Sequence, residues 1–291
     1  MVNRSFYGTF ARALNGALLL LLAASCVLPF FYALSVSLTP MTEVIKNNGF
    51  LLIPKKMTFF AYEQLLHGNT LLNAYKVSIF RTVVGTAINL LFTLMAALPL
   101  SRKTLPGRNA CLLIIVFTML FSGGIIPQYI LIKELGLLNS LWVLIIPGLI
   151  NGFYLLIMKS FFEQLPKELE EAAKMDGAGE VTTLVRIVIP LSMPIIATIM
   201  LFYAVLHWNS YFDAVMYLTD ANKFPLQVYL RNILISAVAA SGDAAADAAD
   251  YVNPISIQMA SVILTTLPIL FVYPFIQKHF TRGVLLGSVK G

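Results

Sequence analysis

A chain that does covalent chemistry needs a nucleophile, a base and a group to orient them, and this one supplies poor material for that. Its histidines are His67, His207 and His279, scattered along the chain, with no serine and acid spaced to assemble a triad around them. Cys26 and Cys111 both fall in apolar runs, so neither a disulfide framework nor paired metal ligands is indicated. Both read as inert packing residues, and no metal site is expected. No Gly-x-x-x-x-Gly-Lys-Ser/Thr occurs, so the chain has no P-loop to cradle phosphates. Catalysis is not expected, nor is a cofactor on this chain.

The residues that remain are of two kinds. Asn89, Asn151, Tyr154, Asn209, Tyr211 and Gln258 are polar or amphipathic and lie in apolar surroundings, where facing lipid would be costly. Amides can hydrogen-bond sugar hydroxyls, and aromatic faces can stack on pyranose rings. Asn151, Tyr154, Asn209, Tyr211 and Gln258 are therefore candidates for a solute pathway. The plainer role for each is a hydrogen bond between helices, foremost for Asn89. The second kind is one charged stretch, Glu170-Glu171-Ala172-Ala173-Lys174-Met175-Asp176-Gly177-Ala178, set between two long apolar runs.

The elements that carry these residues follow from composition. The 291 residues are 58% hydrophobic and 12% charged, with a mean hydropathy of +0.82. A soluble domain has no place for that balance, so the chain reads as an all-α, polytopic membrane protein. Six stretches have the length to cross roughly 30 Å of hydrocarbon as helices. They are about 13–38, 74–100, 109–126, 139–161, 191–212 and 255–277, in one membrane domain over 1–291. An uncleaved first helix is preferred to a signal peptide. Although Ala23-Ala24-Ser25-Cys26 loosely imitates a lipoprotein cleavage site, the apolar run continues through Leu34.

With both termini inside, the inner segments hold twelve basic residues: Arg4, Arg12, Arg102, Lys103, Arg108, Lys159, Lys167, Lys174, Arg186, Lys278, Arg282 and Lys290. The outer segments hold six, Lys46, Lys55, Lys56, Lys133, Lys223 and Arg231, with Lys76 and Arg81 unassigned. The positive-inside rule thus places both termini in the cytoplasm, and the net charge of +6 reads as topology rather than nucleic-acid binding. Two outer segments, about 39–73 and 213–254, are long enough to be more than turns. The second contains Ser241 to Asp250, an Ala/Asp tract read as a solvated acidic face.

The charged stretch then falls in a cytoplasmic loop, 162–190. Lys167 to Met175 are mostly strong helix formers, Pro166 suits the first turn, and Gly177 suits the left-handed position that ends a helix. Leu169, Ala172, Ala173 and Asp176 recur at spacings of three and four, a small-residue face open to close approach. Past Gly177 the chain returns to the membrane, making a helix-turn-helix elbow.

"EAAKMDGAGEVTTLVRIVIP" resembles the EAA loop of permease subunits of ATP-binding-cassette importers. That pattern is Glu-Ala-Ala, three residues, Gly, nine residues, then Ile-x-Leu-Pro. Glu171, Ala172, Ala173, Gly177, Ile187 and Pro190 match it, and Ile189 stands where the pattern has Leu. "FSGGIIPQYILIKELGLLNSLWVLIIPG" and the ending "GVLLGSVKG" resemble the oligosaccharide group of these permeases.

The resemblance implies a type I importer permease fold with the coupling helix between the fourth and fifth spans. It implies ATPase-coupling roles for Glu171, Ala172, Ala173, Asp176, Gly177, Ile187 and Pro190. It also implies partners: a second, related permease, two ATP-binding subunits that hold the ATP and Mg, an extracellular solute-binding protein, and a sugar. The expected function is sugar or oligosaccharide import across the cell membrane by alternating access. The alternatives are an importer permease for a non-sugar solute and an ion-coupled secondary transporter. The latter calls for ionisable groups buried mid-span and for internal repeats, and neither is evident in the sequence.

Overall fold

The computed structural model describes residues 6–47, 51–54, 56–67, 69–240 and 254–287. The Ala/Asp tract lies outside them. The elements in order are α1 (Phe6–Ser37), α2 (Met41–Lys46), α3 (Phe60–Leu66), α4 (Asn69–Ser101), α5 (Arg108–Leu120), α6 (Ile125–Glu134) and two 3-10 turns (Leu141–Leu144, Ile146–Gly148). Then come α7 (Gly152–Phe162), α8 (Lys167–Met175), α9 (Glu180–Thr183), a π turn (Leu184–Val188), α10 (Ile189–Leu191) and α11 (Met193–Asn209). The last are α12 (Phe212–Tyr217), a 3-10 turn (Ala221–Lys223), α13 (Leu226–Ala240) and α14 (Pro254–Gly287). The described residues contain no strand.

Among the described residues only α1 and α4 are unbroken apolar helices of spanning length, and Ile255–Phe271 supplies a shorter apolar stretch of α14. The three other expected spans are bent: α5 to α6 by 114°, the 3-10 turns to α7 by 50°, and the Glu180–Leu191 run to α11 by 77°. The third span was expected over 109–126 and to end at Gly123-Gly124 and Pro127, and the fourth over 139–161 with a local break permitted beside Pro147. Phe121 is extended and Gly124 has φ +86°, so helix cannot pass them. In the fourth span, Pro147 lies in the second 3-10 turn and extended Asn151 restarts the helix as an N-cap.

The chain packs as two compact units, Met1–Asn69 with Leu230–Pro268, and Thr70–Tyr229 with Ile269–Gly291. In the first, the Ser256 hydroxyl donates to the carbonyls of Val36 (3.1 Å) and Thr39 (3.2 Å), and Ser37 pairs with Tyr62 at 2.7 Å. These bonds tie the end of α1 to α14 and α3. The body of α1 is different: Leu18 to Leu22 stand largely exposed, a surface suited to lipid or to another membrane subunit. Cys26 on α1 and Cys111 on α5, expected to pack inside, are exposed for the same reason.

The second unit is organised by α4. Ser78, Arg81, Thr86, Asn89 and Thr93 are all buried, and with Thr82 and Gly85 they recur every three or four residues along one face. Two apolar clusters flank this stripe. One joins α4, α7 and α11 through Leu90, Ala97, Leu155, Met158, Ile199 and Tyr203. The other joins Ile132, Val143, Leu144, Tyr217 and Val228.

Candidate functional site

The polar stripe of α4 meets the head of α13, the joint between α11 and α12 and the break of the fourth span one after another. The Ser78 hydroxyl accepts from the Leu226 amide at 2.7 Å, at the head of α13. Arg81, 2% exposed, forms an ion pair with Asp213 and donates to the Ser210 carbonyl at 3.0 Å, which fixes the joint between α11 and α12. Asp213 also accepts from the Ser210 hydroxyl (3.1 Å) and the Ala214 amide (2.9 Å). Next down the stripe Gly85 lies against His207, where an added Cβ would stand 2.7 Å from Nε2.

Asn89 then donates to the Gly148 carbonyl at 3.0 Å, the interhelical bond that its plainer reading allowed. Thr93 pairs at 2.8 Å with the Tyr203 hydroxyl, which accepts from the Asn151 amide at 3.0 Å. The non-helical backbone at 148–151 is thus held by two side chains, one from α4 and one from α11, as irregular backbone at membrane depth requires. Gly152 lets α5 approach closely, since a Cβ there would meet Met119 at 2.8 Å, whereas nothing lies within 4 Å of a Cβ at Gly148. Only the second glycine of Gly148-x-x-x-Gly152 is at a packing contact.

Of the predicted pathway residues, two are brought together. The Asn151 side chain accepts from the amides of Phe153 (3.0 Å) and Tyr154 (3.2 Å), capping α7. Tyr154 is half-buried, its ring edge-on to Tyr203 at 4.9 Å and near Phe202 at 5.5 Å. Asn209 is exposed and bonds back to the Val205 carbonyl of its own helix at 2.9 Å. Tyr211 is 43% exposed at the start of α12. Gln258 is half-buried in α14 and belongs to the first unit.

The charged stretch forms the helix that its composition specifies. α8 ends in a Schellman-type cap: Gly177 has φ +80° and the Ala178 amide donates to the Ala173 carbonyl at 2.9 Å. The single small-residue face expected over Leu169, Ala172, Ala173 and Asp176 divides. Ala173 is 6% exposed and turned inward, while Glu171, Ala172, Asp176 and Gly177 face outward. The side chain of Leu169 lies outside the described residues. Met175, 89% exposed, stands beside that outward face.

Ile187 lies in the π turn and is half-buried, and Pro190 is exposed just past it. An ordinary helix was expected there. Pro190 has no N–H for the Arg186 carbonyl and its ring crowds that oxygen, which accounts for a widened turn immediately before it.

Both ends of this loop are charge-paired to the turn that joins α4 to α5. Arg108 pairs with Glu163, the C-cap of α7, and Lys159 reaches the same carboxylate at 2.9 Å. Burial alone would raise the Glu163 carboxyl. The hydrogen bond and charge of Lys159, with the Arg108 charge, outweigh it and hold the group below its ordinary 4.5. At the far end Arg102 pairs with Glu180 at 2.9 Å. Tyr203 and the pairs Arg81–Asp213, Arg108–Glu163 and Arg102–Glu180 were not singled out from the sequence. The three-and-four spacing of polar residues along 78–93 was a signal for the first of these pairs. The pairings themselves span 55 to 132 residues and leave no local trace.

Residues 71–286 match the family described as "Binding-protein-dependent transport system inner membrane component". The chain is 46% identical over 274 residues to the "Polygalacturonan/rhamnogalacturonan transport system permease protein YtcP" of Bacillus subtilis, covering 94% of this chain and 96% of that one. It is 47% identical over 270 residues to "Protein LplC" of the same organism, covering 92% and 90%. A solved structure, "Crystal structure of a bacterial ABC transporter involved in the import of the acidic polysaccharide alginate", superposes with a TM-score of 0.86 at 31% identity. That match covers 96% of this chain and all of the other.

Proposed function

Because this chain belongs to the binding-protein-dependent transport system inner membrane component family, we propose that it is the permease subunit of an ATP-binding-cassette importer for an oligosaccharide derived from a polysaccharide. One relative is named for polygalacturonan/rhamnogalacturonan transport and the similar solved structure for the import of alginate, which supports a carbohydrate cargo. The chain works beside a second, related permease, two ATP-binding subunits that hold ATP and Mg, and an extracellular solute-binding protein. It is not itself an enzyme, and both termini lie in the cytoplasm.

One observation carries this reading. α8 offers an outward face of Glu171, Ala172, Asp176 and Gly177 at the end of a well-capped helix, with exposed Met175 beside it. That helix docks in a cleft of the ATPase. Glu171 supplies charge for a basic partner residue, Ala173 seats the helix on its own subunit, and Ile187 and Pro190 link it through the π turn to α11. Asn151 and Tyr154, held at the break of the fourth span, face the solute, and Asn209 and Tyr211 of the same unit are further pathway residues.

In the reconstituted complex, Glu171→Arg or Gly177→Val is expected to abolish ATPase docking and lower binding-protein-stimulated ATP turnover by roughly tenfold or more. Valine at a φ of +80° is strained in addition. Unchanged turnover in both variants refutes the docking role.

A further inference from the structure

The turn between α4 and α5 holds the coupling loop at both of its ends, and the two attachments are unequal. The inner one is a cluster. Arg108 engages Glu163 through one guanidinium nitrogen while its Nε donates at 2.9 Å to the Leu100 carbonyl, an orphan acceptor at the end of α4. Lys159 closes the cluster from one turn back on α7. The side chains of Arg108, Glu163 and Lys159 are 17%, 21% and 12% exposed, so the attraction is poorly screened. The outer attachment, Arg102 to Glu180, is 41% and 69% exposed and correspondingly weak. Between Glu163 and Glu180 lies α8.

We propose that Arg108, with Glu163 and Lys159, is the positioning post through which motion of α8 reaches the membrane helices, and that Arg102–Glu180 is a secondary, releasable stay. The proposal rests on the docking role given to α8 above. A helix joined to its neighbours only by chain on either side would swivel when pushed. Pinning Glu163 to the end of α4 and the start of α5 converts a push on α8 into displacement of α4, α5 and α7 together. α4 carries the polar stripe that holds Gly148, Tyr203, Ser210 and Asp213. The post therefore connects α8 to the helix on which the break of the fourth span and the joint between α11 and α12 are hung. None of these three residues contacts solute or nucleotide in this role.

The test uses the full complex with Cys26 and Cys111 replaced by Ser, two reporter cysteines and a maleimide probe. Met175→Cys on α8 reports docking as protection when the ATPase subunits are added. Phe153→Cys, at an exposed position of α7, reports the membrane region as a change in labelling rate on adding ATP and vanadate. Arg108→Glu is expected to keep the protection at 175 and to reduce the ATP-dependent change at 153 by roughly tenfold. The exchanged pair Arg108→Glu with Glu163→Arg restores the attraction though not the bond to Leu100, and should recover at least about half of the response. Arg102→Glu should cost about twofold, and less at high salt.

A wild-type response at 153 in Arg108→Glu overturns the post and leaves docking intact. Absence of protection at 175 in the parent removes the docking reading and the post with it, and protection at 175 without a response at 153 in the parent overturns the post alone. If Arg108→Glu fails to assemble, the exchanged pair decides. Its failure to assemble or to respond overturns the proposal.

Discussion

Asp213→Ala tests whether an ion pair holds the N-terminal half of α4 to the joint between α11 and α12. Arg81 is 2% exposed and Asp213 26%. Deleting one partner of a buried pair leaves the other charge behind and costs about 3–5 kcal/mol, and the exposed quarter of Asp213 puts this pair near the low end, about 3 kcal/mol. The guanidinium keeps the Ser210 carbonyl as an acceptor. Against that, the Ser210 hydroxyl and the Ala214 amide lose theirs, together about 1 kcal/mol. At about 2–4 °C per kcal/mol, the melting temperature in detergent should fall by roughly 8–16 °C. Thermal unfolding followed by loss of the monodisperse peak in size-exclusion chromatography measures it. The pair Arg81→Met with Asp213→Leu removes both charges and should recover most of the loss. A single variant melting within about 2 °C of wild type, or a double variant less stable than the single, would refute the reasoning.

Two other outcomes are expected. Gly85→Ala drives a methyl group into the buried His207 ring and should cost about 1–3 kcal/mol, part of which His207→Ala returns when the two are combined, as a double-mutant cycle would show. For Glu163 the folded-state value is depressed, so its contribution to stability is complete above the ordinary value of 4.5 and is lost as the pH falls through the lower folded value. Melting curves taken on descending through that window should show a decline in the wild type that Glu163→Gln largely removes.

The sequence was most legible where local rules govern. α1 and α4 are uninterrupted apolar runs, and α8 carries its own stop signal in Gly177, so their positions follow from composition and turn chemistry. Breaks were less legible. Gly123-Gly124 marked the end of α5, but the 3-10 turns before Asn151 depend on Asn89 and Tyr203, which lie 59 and 52 residues away in sequence. The π turn at Leu184–Val188 is a response to Pro190 that spacing alone reads as ordinary helix.

The role of Asn151 illustrates a further limit. In an apolar run its amide reads equally well as an interhelical hydrogen-bonder or as a ligand group, whereas in the structure it is a half-buried N-cap. Here its Oδ1 already serves two backbone amides, so the Nδ2 end is what it has to offer a solute.

The steep bend after α5 bears on the membrane itself. Thirteen helical residues reach about 20 Å, roughly two-thirds of a hydrocarbon core. The rest of that crossing falls to Phe121–Gly124 and to α6, which turns away by 114°. Of those four residues, Phe121 and Gly124 donate their amides to the Phe117 carbonyl and the Ser122 hydroxyl, but extended chain cannot pair its own groups as a helix does. Acyl chains offer such backbone nothing in return. The bilayer must therefore thin beside α5, or another polypeptide must cover the gap. In either case the thickness of the surrounding lipid becomes a variable in the stability of this subunit, and a lone copy in a thick bilayer is the arrangement least suited to it.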